Sequence, residues 1–160
     1  MQTDMDTAKR CICGSSVIFE NDRVLLIRHR KLGIWLYPGG HASEGENPQE
    51  TAVRETREET GLDIQVIGSS NLISGEAEEL PRPFTIMSER VKYSTEVHLH
   101  FDMVYLAVPE SGSRYMLNTE EAEAMKWFRE SEIDGLDTFD NVKSTLHKAF
   151  QEFRKAYGQV

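Results

Sequence analysis

The stretch Gly39–Leu62, GGHASEGENPQETAVRETREETGL, decides the reading of this chain. Asn47 is followed by Pro48 and, three residues after the asparagine, by Glu50. This reads as an N-cap, an N1 proline and a capping-box partner, so a helix is predicted to start here. Gly61 is its expected left-handed stop. Within the helix Glu55, Glu58 and Glu59 fall at i, i+3 and i+4, which sets three carboxylates on one face. Unpaired, they would repel; divalent cations would hold them together, and hard oxygen ligands suit Mg²⁺ or Mn²⁺. Arg54, four residues after Glu50 and four before Glu58, is spaced to bridge carboxylates and fix their orientation. Ala52, Val53 and Thr56 turn the other way, toward a core. Ahead of the helix, Gly39 and Gly40 permit positive φ and close backbone approach, so a carbonyl near Gly40 can reach a metal. A solvated acidic helix laced with i,i+4 ion pairs would share this composition, but the glycines and Glu46 at fixed offsets argue against it.

Eight of these residues, Gly40, Glu46, Arg54, Glu55, Glu58, Glu59, Gly61 and Leu62, fall in register with G-x5-E-x7-R-E-U-x-E-E-x-G-U, where U is a bulky aliphatic. This is the Nudix box, and the chain resembles a Nudix hydrolase, with Thr56 standing where that family usually carries Leu, Ile or Val. The resemblance implies an α/β fold, an α/β/α sandwich around a central mixed sheet. It extends over residues 1–160 as a single domain, with 1–9 expected as a flexible N-terminus. It further implies Mg²⁺-dependent hydrolysis, with Mn²⁺ as a substitute, of a phosphoanhydride in a nucleoside diphosphate linked to another moiety. Nucleoside triphosphates, nucleotide sugars and related small molecules fit that description. By the same resemblance the Gly40 carbonyl, Glu55, Glu58 and Glu59 are metal ligands, and Glu55, Glu58 and Arg54 are catalytic. The general base is Glu55 in some members and a residue outside the box in others; Glu55, whose position is fixed, ranks first here, ahead of Glu96, Glu89, His98 and the Glu120 to Glu123 loop. A non-hydrolytic nucleotide-binding module on the same fold is the alternative reading. An isoprenoid diphosphate isomerase would need a cysteine in the cleft, and Cys11 and Cys13, early in the first strand, are poorly placed for that.

The chain has 160 residues, enough for one domain with a real core, and its 39% apolar and 28% charged content describe a soluble globular protein. No run of eighteen apolar residues occurs and the start, MQTDMDTAKR, is polar, so a cytoplasmic location without membrane contact is expected. The formal charge of −9, from 18 basic and 27 acidic residues, argues against a broad nucleic-acid surface. An acidic protein needs intervening cations to bind a polyphosphate, which agrees with the carboxylate patch. Either a monomer or a homodimer fits. Cys11 and Cys13 lie two apart on a predicted strand and share a face; without a second cysteine pair they read as two buried thiols rather than a Cys-x-Cys metal site.

Around the box, residues 10–20 and 23–30 are strand-like runs about Asn21-Asp22, a hairpin signal. Arg28 and Arg30 at the end of the second run are candidates for substrate phosphate, with a solvated strand end as the alternative. Trp35 is expected to pack. Residues 62–74 read as one or two strands. Gly75–Thr95 reads as a long charged connection, Pro81 and Pro83 bracketing Arg82, and is the region expected to set specificity. Phe84, Ile86 and Met87 suggest a short strand within it. Residues 97–108 alternate as a strand, with His98, His100 and Asp102 on one face. As a transition-metal site this face lacks another His-rich element to finish the shell, so His98 and His100 read as lining the substrate cleft. Glu89 and Glu96 flank that strand, and Glu120 to Glu123 precede Lys126-Trp127-Phe128; Glu89, Glu96 and Glu120 are candidates for an extra base or metal ligand. A short helix is predicted at Glu130–Leu136, and from Asp140 the apolar set Val142, Leu146, Ala149, Phe150, Phe153 and Tyr157 keeps helical spacing, giving an amphipathic helix that covers one sheet face.

Overall fold

In the computed structural model, which describes residues 8–68, 70 and 72–158, Asn21 and Asp22 take φ values of 49° and 59°. A two-residue turn with both φ positive matches the twist of a hairpin, and it folds β1 (Lys9–Glu20) onto β2 (Arg23–His29). β1 also runs parallel to the long β9 (Val97–Pro109), from Lys9 opposite His98 to Ile18 opposite Ala107. Around this pair a mixed eight-stranded sheet forms in the order β10 (Ala122–Arg129), β2, β1, β9, β5 (Ile64–Val66). Short β3 (Trp35–Leu36) pairs with β2, β4 (Gly39–His41) with β1, and β8 (Thr85–Lys92) with β9. A separate small hairpin joins β6 (Ile73–Ser74) to β7 (Ala77–Glu78).

Alternation along β1 sends its residues to two cores. Val17 and Phe19 join Leu26, Leu106, Phe128 and the apolar stripe of α2 (Asp140–Tyr157), namely Val142, Leu146, Ala149 and Phe150. Ile18 faces the other way, with Leu25, Leu62, Ile64 and Val53 of α1 (Pro48–Thr60). One helix therefore covers each face, the expected α/β/α arrangement. Helix α1 approaches β1 closely because Gly14 has no side chain: a Cβ there would lie 2.1 Å from the Pro48 carbonyl oxygen.

Several expectations change. The short strand expected around Phe84–Met87 within the Gly75–Thr95 stretch is longer than expected: Thr85–Lys92 is a full strand, ladder-bonded to β9 with Glu89 opposite His100. Its alternating exposure hid the rest of the strand among charges. Of the N-terminal segment expected to be flexible, residues 1–7 lie outside the described residues, and Lys9 already belongs to β1. The predicted short helix is a 3-10 turn at Glu130–Gly135. Trp35 packs edge-on against Phe128, as expected of a packing residue. Among the described residues no helix is long and apolar enough to cross a membrane.

Candidate active site

Helix α1 starts as its sequence dictates. The Asn47 side chain accepts from the Glu50 amide at 3.0 Å and the Glu50 carboxylate accepts from the Asn47 amide at 2.9 Å. Gly61 ends it in the left-handed region, at φ 74°. The helix then presents its carboxylates to β4. Gly39 and Gly40 do not use positive φ; the close approach that their lack of a side chain permits is what matters. A Cβ on Gly40 would sit 2.6 Å from the Glu55 carboxyl carbon, and one on Gly39 would sit 2.1 Å from the Ser15 hydroxyl. The Glu55 carboxylate thus rests directly on the Gly40 backbone.

Arg54 organises the acids. Its Nη1 donates to Glu55 at 2.8 Å and to Glu58 at 3.1 Å, its Nη2 donates to the His41 carbonyl at 3.0 Å, and its Nε binds Glu46 at 2.7 Å. Glu50, which helical spacing also offers as a partner, is occupied by the capping box, and Glu46 from the preceding loop takes that place. The Arg54 hydrogen bond holds the Glu46 carboxyl down at about 2.

Burial is graded along the acidic face. Glu58 keeps a half-exposed side chain, whereas Glu59 is only 7% exposed. Burial first, then the nearby Glu55 and Glu121 charges, push the Glu59 carboxyl up to about 9. Burial also raises Glu55, against the opposing pull of Arg54. One Glu59 oxygen, Oε2, is buried with no hydrogen-bond partner. A buried carboxylate oxygen without a partner, beside two further carboxylates and a glycine backbone, is a donor set suited to a hard dication, so the residues fit Mg²⁺ or Mn²⁺.

Of the acids in the Glu120–Glu123 loop, Glu121 is the one whose charge raises both Glu55 and Glu59; the expectation had singled out Glu120. Sequence could not choose among three neighbouring glutamates, because the choice depends on a turn in which Glu121 and Ala122 donate their amides to the Asn118 carbonyl. Arg30 pins this loop: its amide donates to the Glu121 carbonyl and its Nε to the Thr119 carbonyl, both at 2.8 Å. Arg28 donates to the Gly33 carbonyl and lies 3.8 Å from Glu123. Both arginines therefore brace loops in this structure, while Arg82 is exposed in the turn leading to β8.

The remaining candidates gather on the opposite side of the sheet. In ladder register Cys13 pairs with His41 and Asp102, Gly14 with Gly40, and Cys11 with His100. Paired residues share a face, so His41, His98, His100 and Asp102 look away from α1, while Gly14 and Gly40 look toward it. Glu89, opposite His100, accepts from the Asn141 amide of α2 at 3.1 Å, and burial raises its carboxyl. Glu96 sits 2.8 Å from His98 Nε2, a contact that lowers its carboxyl. Asp102 accepts from the Ser15 hydroxyl at 2.8 Å, and burial lifts it to about 6. His41 and His100 are lowered by burial and then by neighbouring imidazoles, which favours their neutral forms.

An acidic helix seated on a glycine strand of a mixed sheet, its carboxylates clamped by one arginine, is the site architecture of the Nudix class. A model of the NUDIX domain matches residues 14–150, and the chain belongs to the Nudix hydrolase family. The mouse protein named "Bis(5'-nucleosyl)-tetraphosphatase [asymmetrical]" is 30% identical over 125 residues, 73% of this chain and 70% of its own length. A Lactococcus lactis subsp. cremoris protein named "Probable DHNTP pyrophosphohydrolase" is 30% identical over 149 residues, 91% of this chain and 70% of its own. The chain spans about 60–70% of the length of these and similar curated relatives. Among solved structures, a NUDIX family hydrolase from Clostridium perfringens superposes with a TM-score of 0.72 at 24% identity, covering 91% of this chain and 99% of that one, a likeness of fold.

Proposed function

We propose that this protein hydrolyses a phosphoanhydride bond in a nucleoside diphosphate linked to another moiety, using Mg²⁺ or Mn²⁺ held by Glu55, Glu58, Glu59 and the Gly40 backbone. The observation that carries this reading is the buried, unpartnered Glu59 oxygen beside the Glu55 carboxylate on Gly40. When bound, the dication supplies charge neutralisation and Lewis-acid polarisation of phosphate oxygens. The chain supplies the geometry. Arg54 holds Glu55 and Glu58 in fixed rotamers, so their carboxylates need no reorganisation when substrate arrives. The Glu55 side chain is mostly buried and already engaged by Arg54, which suits a ligand better than a proton acceptor. Glu121 is exposed, near both Glu55 and Glu59, and carried on a loop pinned by Arg30; it is the group assigned to take the proton from the attacking water.

The relatives' names, a bis(5'-nucleosyl)-tetraphosphatase and a DHNTP pyrophosphohydrolase, favour nucleotide or pterin polyphosphates as first substrates to try. The test is a panel of nucleoside triphosphates, dinucleoside polyphosphates, nucleotide sugars and a pterin triphosphate, with and without Mg²⁺, products being identified. Cation-dependent release of phosphate, pyrophosphate or a nucleotide monophosphate from at least one member is expected; binding of a member without turnover at any cation concentration would overturn the hydrolytic reading.

A further inference from the structure

We propose that Cys11, His41, His98 and His100 form a second metal site, with one thiolate and three imidazole ligands, that binds a zinc-class transition ion on the face of the sheet opposite the glutamate centre. Three strands build it. His98 and His100 stand two apart on β9, Cys11 faces His100 across the parallel β1–β9 ladder, and His41 enters from β4 opposite Cys13. One potential ligand atom from each of the four residues lies within 4.8 Å of all the others. Cys11 Sγ is 3.5 Å from His98 Nδ1, and His41 Nε2 is 2.9 Å from His100 Nε2. Zn–N and Zn–S bonds of about 2.05 and 2.3 Å give tetrahedral edges of about 3.3 Å between nitrogens and about 3.6 Å between nitrogen and sulfur. The observed separations bracket those edges. Closing the widest separation, up to 4.8 Å, to a tetrahedral edge needs a change of about 1–1.5 Å, within reach of rotation of the exposed His41 ring and its neighbours.

The chemistry of the donors selects the ion. Thiolate and imidazole suit Zn²⁺ and its relatives and are poor ligands for Mg²⁺, so this site and the carboxylate centre would not compete for one metal. A thiolate, three neutral imidazoles and the Glu96 carboxylate behind them balance a dication. Glu96 has a further role: His98 Nε2 lies 2.8 Å from its Oε1 and His98 Nδ1 points at Cys11. A proton on Nε2, beside the carboxylate, would leave the Nδ1 lone pair free for a metal, the carboxylate–histidine–metal arrangement, although Nε2 makes no aligned hydrogen bond in this structure. Tyr93 covers His98 at a ring separation of 4.5 Å, while the exposed His41 leaves an approach from solvent. The site abuts the first one through β4. His41 follows Gly40, whose backbone carries Glu55, and its carbonyl accepts from Arg54. Occupancy would therefore fix the strand on which Glu55 rests.

The test reads the metal and not hydrolysis, so its result stands apart from that of the substrate panel. Protein stripped with a chelator is titrated with Co²⁺ and watched by absorption, and Zn²⁺ affinity is measured by competition with a chelating dye. Wild type is expected to take up Co²⁺ with a thiolate-to-metal charge-transfer band and the strong visible absorption of a tetrahedral site. Cys11→Ser should lose the charge-transfer band, and His100→Gln should weaken Zn²⁺ at least about tenfold. Glu96→Gln should weaken it by about tenfold through the lost support of His98. Glu58→Gln, on the other face, should keep the band. Circular dichroism of each variant separates loss of the site from loss of the fold, and His100→Gln serves if Cys11→Ser fails to fold. Co²⁺ binding without a thiolate band in wild type, or a band abolished by Glu58→Gln and untouched by His100→Gln, would overturn the proposal.

Discussion

Arg54 grips Glu46 side-on, Nε donating to Oε1 at 2.7 Å and Nη2 to Oε2 at 3.0 Å. This fork locks the loop before α1 to the middle of the helix and leaves Nη1 for the Glu55 and Glu58 carboxylates. A lysine carries the charge but cannot fork. Arg54→Lys should therefore lower turnover by about 10–100-fold, the range for removing an orienting partner, and cost about 1–2 kcal/mol of stability. Steady-state kinetics and thermal melts check both; turnover within twofold of wild type would show that the clamp does not position the acids.

The same pair predicts an acid limb. Arg54 holds the Glu46 carboxyl at about 2, against an ordinary value of 4.5. A depressed carboxyl contributes stability that is fully present above its unfolded value and lost as pH falls toward its folded one. The difference in melting temperature between wild type and Glu46→Gln should be constant above about pH 5 and shrink between about pH 4.5 and 2. A difference that does not change over that window would place the cause elsewhere.

Proton transfer is separable from metal holding at the Glu120–Glu123 loop. Glu121→Gln should reduce kcat by at least about a hundredfold, the lower range for a lost general base, and flatten the acidic limb of the pH–rate profile. Its Mg²⁺ requirement should stay near that of wild type. Glu120→Gln should leave kcat within about twofold. If Glu121→Gln instead raises the Mg²⁺ requirement with an unaltered pH profile, that carboxylate is a ligand.

What the sequence disclosed follows the range of the interactions involved. Cap, stop glycine and the i, i+3, i+4 acids of α1 are local, and the structure forms that helix between the predicted ends. Periodicity also foretold α2 and β9. Contacts that depend on which strand lies beside which were out of reach. The His98–His100 face lacked a partner on paper because Cys11 and His41 reach it only through the β1 ladder, from 87 and 59 residues away in the chain. Glu46 rather than Glu50 binds Arg54 because the loop folds back over the helix, and helical spacing carries no information about loops. Only the start of β8, at Ile86 and Met87, is legible in the sequence, since the charges along the rest of it alternate on an exposed edge strand.

Glu59 makes the metal-free centre costly. With its carboxyl near 9 against an ordinary 4.5, the unfolded chain loses that proton first as pH rises, so metal-free stability should decline from about pH 4.5 toward 9. Glu59→Gln removes the buried acid. Melted in a chelator at about pH 8, it should exceed wild type by at least about 1 kcal/mol of stability. Adding Mg²⁺ or Mn²⁺ should raise the wild-type midpoint and raise the variant's much less. A variant that melts below wild type in chelator would show that the carboxylate stabilises the metal-free fold.

Thr56 is where the box departs from an aliphatic residue, and it lies fully buried with its Oγ1 unpartnered. A buried hydroxyl without a hydrogen bond loses its hydration for nothing, whereas a methyl of the same shape does not. Valine keeps the β-branch and the helical rotamer. Thr56→Val should therefore stabilise the protein by about 1 kcal/mol, a rise of about 2–4 °C in Tm for a chain of this size, with kcat unchanged because the side chain faces the core. A melt is decisive: a lower Tm for the valine variant would mean that Oγ1 has a partner, such as a buried water, that Val cannot replace.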